Sequence, residues 1–150
     1  MEKRFVDWNE FGRLVEKLSE VLKGVKVDLV VGIARGGLPV SLVIADRLGV
    51  PVDFINIKSY RAVGIRDRPV ILSTLSENVK DKVVLVVDDL IDEGDTMMTV
   101  IEHLKERHSP KKIYTATLFI KPWSKFKPDF YLEIVDKWIV FPWERMEFGN

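Results

Sequence analysis

The chain has 150 residues, 47% hydrophobic and 31% charged, which is one domain's worth of sequence with enough apolar surface for a substantial core. Lys plus Arg and Asp plus Glu both number 23, so the formal charge is zero and a broad footprint for nucleic acid or an anionic membrane is not expected. Cysteine is absent, which removes disulfides, thiolate catalysis and thiolate-held metals; no leader-like apolar region or run of roughly 18 apolar residues is seen, so a cytoplasmic, membrane-free protein is expected.

Trp8, Phe11, Leu14, Val15, Leu18, Val21 and Leu22 recur at helical spacing, with Asp7 and Glu10 placed as a capping-box variant and Gly24 as the stop. Asp28 to Ile33 is a continuous apolar run that suits a strand covered on both faces. Ala34-Arg35-Gly36-Gly37 then leads into a second amphipathic helix, about Leu38 to Leu48, with Pro39 in its first turn. Val52 to Tyr60 reads as a more exposed strand, and Pro69 to Thr74 as another. Between them, Arg61 to Arg68 has no periodicity and is expected to be a mobile loop.

Lys82 to Val87 is the most strongly β stretch, and it runs into Asp88-Asp89-Leu90-Ile91-Asp92-Glu93-Gly94-Asp95-Thr96. A helix built on Met97, Val100, Ile101 and Leu104 follows, then a strand from Lys112 to Ile120. The last thirty residues hold three of the four tryptophans and three prolines, and read as short strands and turns. This alternation predicts an α/β fold, a mostly parallel central sheet flanked by helices with a small C-terminal hood: one domain over 1–150, its core about 1–120 and its hood about 121–150. In such sheets ligands bind outside the carboxyl ends of the strands, where loops 34–37 and 88–96 should lie side by side at one edge.

The 88–96 run carries the strongest chemical signal. Gly94 permits a tight turn of converging amides at the positive end of the next helix, a phosphate site to which Thr96 adds a hydroxyl or a cap. Asp88 and Asp89 at a strand end could grip vicinal hydroxyls or a hard divalent cation. A bare Asp-Asp pair equally fits a solvated loop; the third carboxylate, the glycine and the threonine tip the balance toward a site.

This run resembles the signature with which type I phosphoribosyltransferases bind phosphoribosyl pyrophosphate. Ile33 to Gly37 is similar to that family's pyrophosphate loop, and Ser59-Tyr60 with the irregular segment after it to its flexible hood. Phe119-Ile120-Lys121-Pro122 and Asp136 to Glu144 resemble the purine (xanthine-guanine and hypoxanthine-guanine) branch. The resemblance implies the type I phosphoribosyltransferase fold and transfer of a phosphoribosyl group to a 6-oxopurine with Mg2+, in a homodimer or homotetramer. It implies that Asp88 and Asp89 hold the ribose hydroxyls, Asp89 nearer the magnesium, and that Asp92 is the proton acceptor beside purine N7. Asp92, Glu93, Gly94, Asp95 and Thr96 would wrap the 5′-phosphate, and Arg35, Gly36 and Gly37 the pyrophosphate. Lys121 would donate to the purine O6, Trp138 would stack on the ring, and the backbone at Ile139 and Glu144 would meet a 2-amino group. It also implies a cis Ala34–Arg35 peptide.

Two positions depart from the family pattern: Glu93 replaces a threonine, and Asp95 fills a variable place with a carboxylate. Two acids around a dianion are electrostatically awkward, so both side chains are expected to point away. His103 and His108 read as surface or helix-dipole residues, Met97 and Met98 as helix packing, Trp8 as core or interface packing and Trp143 as structural. Two alternatives stay open: the same donor with a pyrimidine acceptor, which Lys121 and Trp138 disfavour, and a regulator that senses donor or nucleotide without turnover. A phospho-accepting receiver domain is excluded by the order of segments, because Asp88 and Lys121 lie too close together. The preferred oxopurine is not legible at this level.

Overall fold

The computed structural model describes residues 1–60 and 68–144. In chain order the elements are β1 (Lys3–Phe5), α1 (Trp8–Leu22), β2 (Leu29–Ala34), α2 (Leu38–Leu48), β3 (Val52–Tyr60), β4 (Arg68–Ser73), β5 (Val83–Ile91), α3 (Asp95–Arg107), β6 (Lys112–Ile120), β7 (Glu133–Ile134), β8 (Trp138–Val140) and a single 3-10 turn, Pro142–Glu144. Six strands form the main sheet in the order β4-β3-β2-β5-β6-β7. Every neighbouring pair is parallel except β3 with β4, which runs antiparallel at the edge.

The apolar strands alternate between two cores. Val30, Leu85, Val87, Ala116 and Leu118 face α1 and α2, whereas Leu29, Val31, Ile33, Val84 and Val86 face α3. A strand covered on both sides needs apolar residues at every position, which is why β2 and β5 read as unbroken hydrophobic runs. The helices follow the expected spacing. In α1, Phe11, Leu14, Val15, Leu18 and Leu22 are buried on one stripe. The Asp7 carboxylate accepts from the Glu10 amide at 2.8 Å, but Glu10 does not complete the box, because its own carboxylate binds Arg4 at 3.1 Å. Gly24 adopts φ +91°, the left-handed stop expected of it.

Beyond one-residue shifts in β2 and β4, two features differ from the sequence reading. The acidic pair does not sit in a loop: β5 continues to Ile91, with Asp88 in register with Thr117 and Ile91 with Ile120 of β6. The ladder is made by backbone groups, so it runs on past the point where the side chains turn polar. The second difference is β1, a three-residue strand that pairs parallel with β8 and places Arg4 opposite Ile139 and Phe5 opposite Val140. It is too short to show alternation in the sequence. Among the described residues no helix is long and apolar enough to cross a membrane.

Candidate active site

β2 and β5 are adjacent, so the two turns leaving their carboxyl ends meet at the middle of the sheet. Gly36 packs against the Asp89 carboxylate, and a Cβ on Gly37 would stand 2.6 Å from the Ile33 carbonyl oxygen and 2.8 Å from that of Val87. Only glycine lets the loop after β2 come this close to β5. The Ala34–Arg35 peptide is cis, and Arg35 is exposed at the rim.

Asp88 and Asp89 are half-buried, and the Asp88 carboxylate accepts from the Asp89 amide at 2.9 Å. Burial raises both carboxyls: Asp88 well above the usual carboxylate range, helped by the charge of Asp89, and Asp89 to about 6, helped by the charge of Glu144. Two acids held this way gain from a cation between them and its ligands.

Past Asp92 the chain turns through Gly94, whose φ of +102° excludes most side chains, into α3. The N-cap, Gly94, has no side chain with which to cap this helix; Asp95 and Thr96 stand in its first turn, and the first helical bond runs from the Met98 amide to the Gly94 carbonyl at 3.0 Å. A helix that starts on a left-handed glycine presents its first amides as a backbone cradle for an anion. The segment after Lys121 braces it. The Lys125 amide donates to the Glu93 carbonyl at 3.1 Å, Lys125 Nζ lies 2.7 Å from Asp95 Oδ1, and Phe126 fills the space a Cβ on Gly94 would need. Asp95 is thus paired, and Glu93 lies exposed.

Beside the cradle is a cavity of about 360 Å³ whose walls include Asp89, Asp92, Lys121, Trp138, Ile139 and Glu144. Six residues singled out from the sequence therefore meet in one space, while Asp88 does not line it. Lys121 is buried, and its ammonium donates to the Lys137 carbonyl. Burial holds that amine below the usual lysine range, opposed by the charges of Asp92 and Asp136. Trp138 is 41% exposed; its amide donates to the Glu2 carbonyl at 2.9 Å, and Lys3 Nζ lies 5.4 Å from its ring centroid. The Glu144 carboxylate turns inward to accept from the Phe141 amide at 3.0 Å.

The phosphoribosyl transferase domain model matches residues 3–145, nearly the whole chain. The chain belongs to the phosphoribosyltransferase family. Its curated relatives include a xanthine-guanine phosphoribosyltransferase of Cereibacter sphaeroides, 34% identical across 95% of this chain and 88% of that protein. Among solved structures it is similar to a purine phosphoribosyltransferase from Pyrococcus horikoshii, with 39% identity, a TM-score of 0.87, and 95% and 94% of the two chains covered. It is also similar to a Helicobacter pylori xanthine-guanine-hypoxanthine phosphoribosyltransferase, with 25% identity, a TM-score of 0.83, and 99% and 97% covered.

Other placements qualify the sequence reading of this phosphoribosyltransferase. Ser59 and Tyr60, expected to open a flexible hood, lie in β3 opposite Pro69 and Arg68 of β4; Arg68, expected in the mobile loop 61–68, is instead the first residue of β4, and residues 61–67 fall outside the described residues. The hairpin ladder holds both residues in extended backbone. His103 and His108 meet over Thr74, their Nε2 atoms 2.7 and 2.8 Å from its hydroxyl, away from the cavity. Trp143 is structural, stacked on Phe141 at 4.8 Å between ring centroids and edge-on to Phe11 at 5.1 Å. Trp8 is mostly exposed but packs against Phe11 and Trp143. Four cavity residues were missed, Met1, Leu90, Trp123 and Phe141. A lone tryptophan in the polar stretch Pro122 to Lys127 was the available clue to Trp123.

Proposed function

We propose that this phosphoribosyltransferase moves the 5-phosphoribosyl group from phosphoribosyl pyrophosphate to a 6-oxopurine, releasing pyrophosphate and the purine nucleoside monophosphate in purine salvage. One observation carries the reading: a cavity whose walls bring together a buried ammonium, an indole and a carboxylate opens beside a phosphate cradle. The names of the Cereibacter and Helicobacter relatives, both oxopurine enzymes, support it.

In the reaction the bond from the anomeric carbon to a pyrophosphate oxygen breaks and a bond to a purine nitrogen forms. Positive charge develops on the ribose and negative charge on the departing pyrophosphate. The backbone of residues 92–96, with the Thr96 hydroxyl, holds the 5′-phosphate. Arg35 and the amides of Gly36 and Gly37 receive the pyrophosphate, and Asp88 and Asp89 take the ribose hydroxyls. Asp92 accepts the proton that the attacking base releases. Lys121 donates to the exocyclic O6, which selects an oxo over an amino group, since an ammonium has only donors to offer. Trp138 stacks on the base, and the backbone at Ile139 and Glu144 meets a 2-amino group. Residues 1–120 serve as the donor-binding core and 121–150 as the base-binding hood, with Ser59 and Tyr60, at the end of β3, contributing to the cover over the donor.

Mg2+ fits this donor set. Among the described residues no three acidic or histidine side chains converge on one point, so the protein offers only the half-buried pair Asp88 and Asp89. Magnesium is commonly held by one or two carboxylates with substrate phosphate oxygens completing the shell. Asp89, on the cavity wall, would hold it, and the ion would neutralise charge developing on the pyrophosphate.

The test is to supply the protein with Mg2+, the phosphoribosyl donor and one base at a time, and to follow pyrophosphate release. Guanine, xanthine or hypoxanthine should support turnover, and adenine and orotate should not. Asp92→Asn should lower kcat far more than donor binding; equal losses in both would remove Asp92 from the proposed role.

A further inference from the structure

Trp123 is an odd residue to leave in water. It is 48% exposed, yet its indole is fixed on two sides. The Nε1–H donates to Asp92 Oδ1 at 2.7 Å, and the Lys121 ammonium lies 5.5 Å from the ring centroid, over its face. One side chain therefore holds the carboxylate by its edge and the ammonium by its π surface, both within reach for their chemistry. The contact is not a loose surface encounter, because the backbone on either side is stitched to the phosphate turn. The Lys121 amide donates to the Ile91 carbonyl at 3.0 Å, the Ser124 amide to the Lys121 carbonyl at 3.1 Å, and the Lys125 amide to the Glu93 carbonyl at 3.1 Å. Phe126 closes the stretch against Gly94.

We infer that Trp123 is the positioning residue of the base slot: its indole N–H fixes one oxygen of Asp92, so that the other is presented to the base, while its ring face steadies the Lys121 ammonium. This rests on the proposed oxopurine transfer and adds a residue to it. A carboxylate free to rotate spends most of its time misaligned, and a donor on one oxygen removes that freedom before the base arrives. Trp123 acts through Asp92 and Lys121; proton transfer remains with Asp92.

The test has two readouts. In a 15N-labelled sample the four tryptophan indole N–H groups give separate signals, and Trp123→Phe identifies that of Trp123. Asp92→Ala should move this signal upfield and leave the other three in place; an unmoved signal overturns the contact. In turnover, Trp123→Phe keeps a flat ring but removes the donor, and should lower kcat about ten-fold with donor affinity unchanged. Trp123→His, which restores an N–H, should recover part of the loss. In an Asp92→Ala background Trp123→Phe should cost nothing more, as expected of residues acting as one unit. The same ten-fold loss in both backgrounds would overturn the positioning role. A wild-type protein that turns over no oxopurine defeats the functional reading instead, and the indole signal still decides the contact with Asp92.

Discussion

Gly36 and Asp89 are packed so closely that a Cβ built on Gly36 would stand 2.5 Å from Asp89 Oδ2. The obstacle is the far end of a side chain, so Gly36→Ala can be accommodated by turning the carboxylate away. We predict a folded protein, destabilised by about 1 kcal/mol or less, whose donor affinity falls at least ten-fold. Calorimetric titration with the donor and Mg2+ against a melting curve separates the two effects. Wild-type affinity in the alanine variant would show that Asp89 does not face the donor.

Burial pushes the Asp89 carboxyl up to about 6, above the ordinary carboxylate value, so the folded state binds this proton more tightly than the unfolded chain. Its contribution favours folding at low pH and turns unfavourable as pH rises from about 4 through 6, where the unfolded chain ionises first. Asp89→Asn removes a charge that is costly to bury. At pH 7.5 without metal it should melt higher than the wild type, by about 2–4 °C for each kcal/mol relieved, and the gap should close by pH 4.5. Mg2+ should stabilise the wild type at pH 7.5 and leave Asp89→Asn unmoved. A gap independent of pH would contradict the burial argument.

Lys125 and Asp95 form a partly exposed ion pair, which adds about 0–1 kcal/mol to stability. Its larger consequence is for binding, because an unneutralised carboxylate in the first turn of α3 repels an incoming dianion. Lys125→Ala should therefore raise the KM for the donor several-fold with kcat nearly unchanged. Asp95→Asn in the same protein should restore it. A double variant no better than Lys125→Ala would leave the pair without a part in phosphate binding.

Lys121 is the sole buried lysine among the described residues, and its ammonium is already bonded to the Lys137 carbonyl. Lys121→Gln keeps a donor but adds an acceptor, so discrimination between 6-oxo and 6-amino purines should narrow by about 100-fold in the ratio of kcat/KM. The loss should fall on oxopurines, with little gain on adenine. Unchanged discrimination would move the reading of position 6 to another group.

How much of this was legible beforehand depended on how local the signal was. The Gly94 turn and the acidic run 88–92 lie within a few consecutive residues, and the signature of each was visible in the chain; the cis Ala34–Arg35 peptide was expected from the family resemblance alone. Lys121, Trp138 and Ile139 were found by resemblance, since nothing in their spacing says that β6 and β8 converge on one cavity. What escaped was tertiary. The three residues of β1 have too short a pattern to read, yet they seat Trp138 by pairing with β8. The Lys125–Asp95 and Trp123–Asp92 contacts each span about thirty positions, and only the return of the chain after β6 brings those partners together. Asp88 and Asp89 were read as loop residues because a change in side-chain polarity looks like a strand end when the ladder beneath it is unseen.

The most direct measurement is a crystal structure with a 6-oxopurine nucleoside monophosphate. The phosphate should rest on the amides at the start of α3 behind Gly94, with the ribose hydroxyls on Asp88 and Asp89. The base should lie against Trp138, with its O6 on Lys121. A nucleotide bound anywhere else, with that turn vacant, would contradict the account.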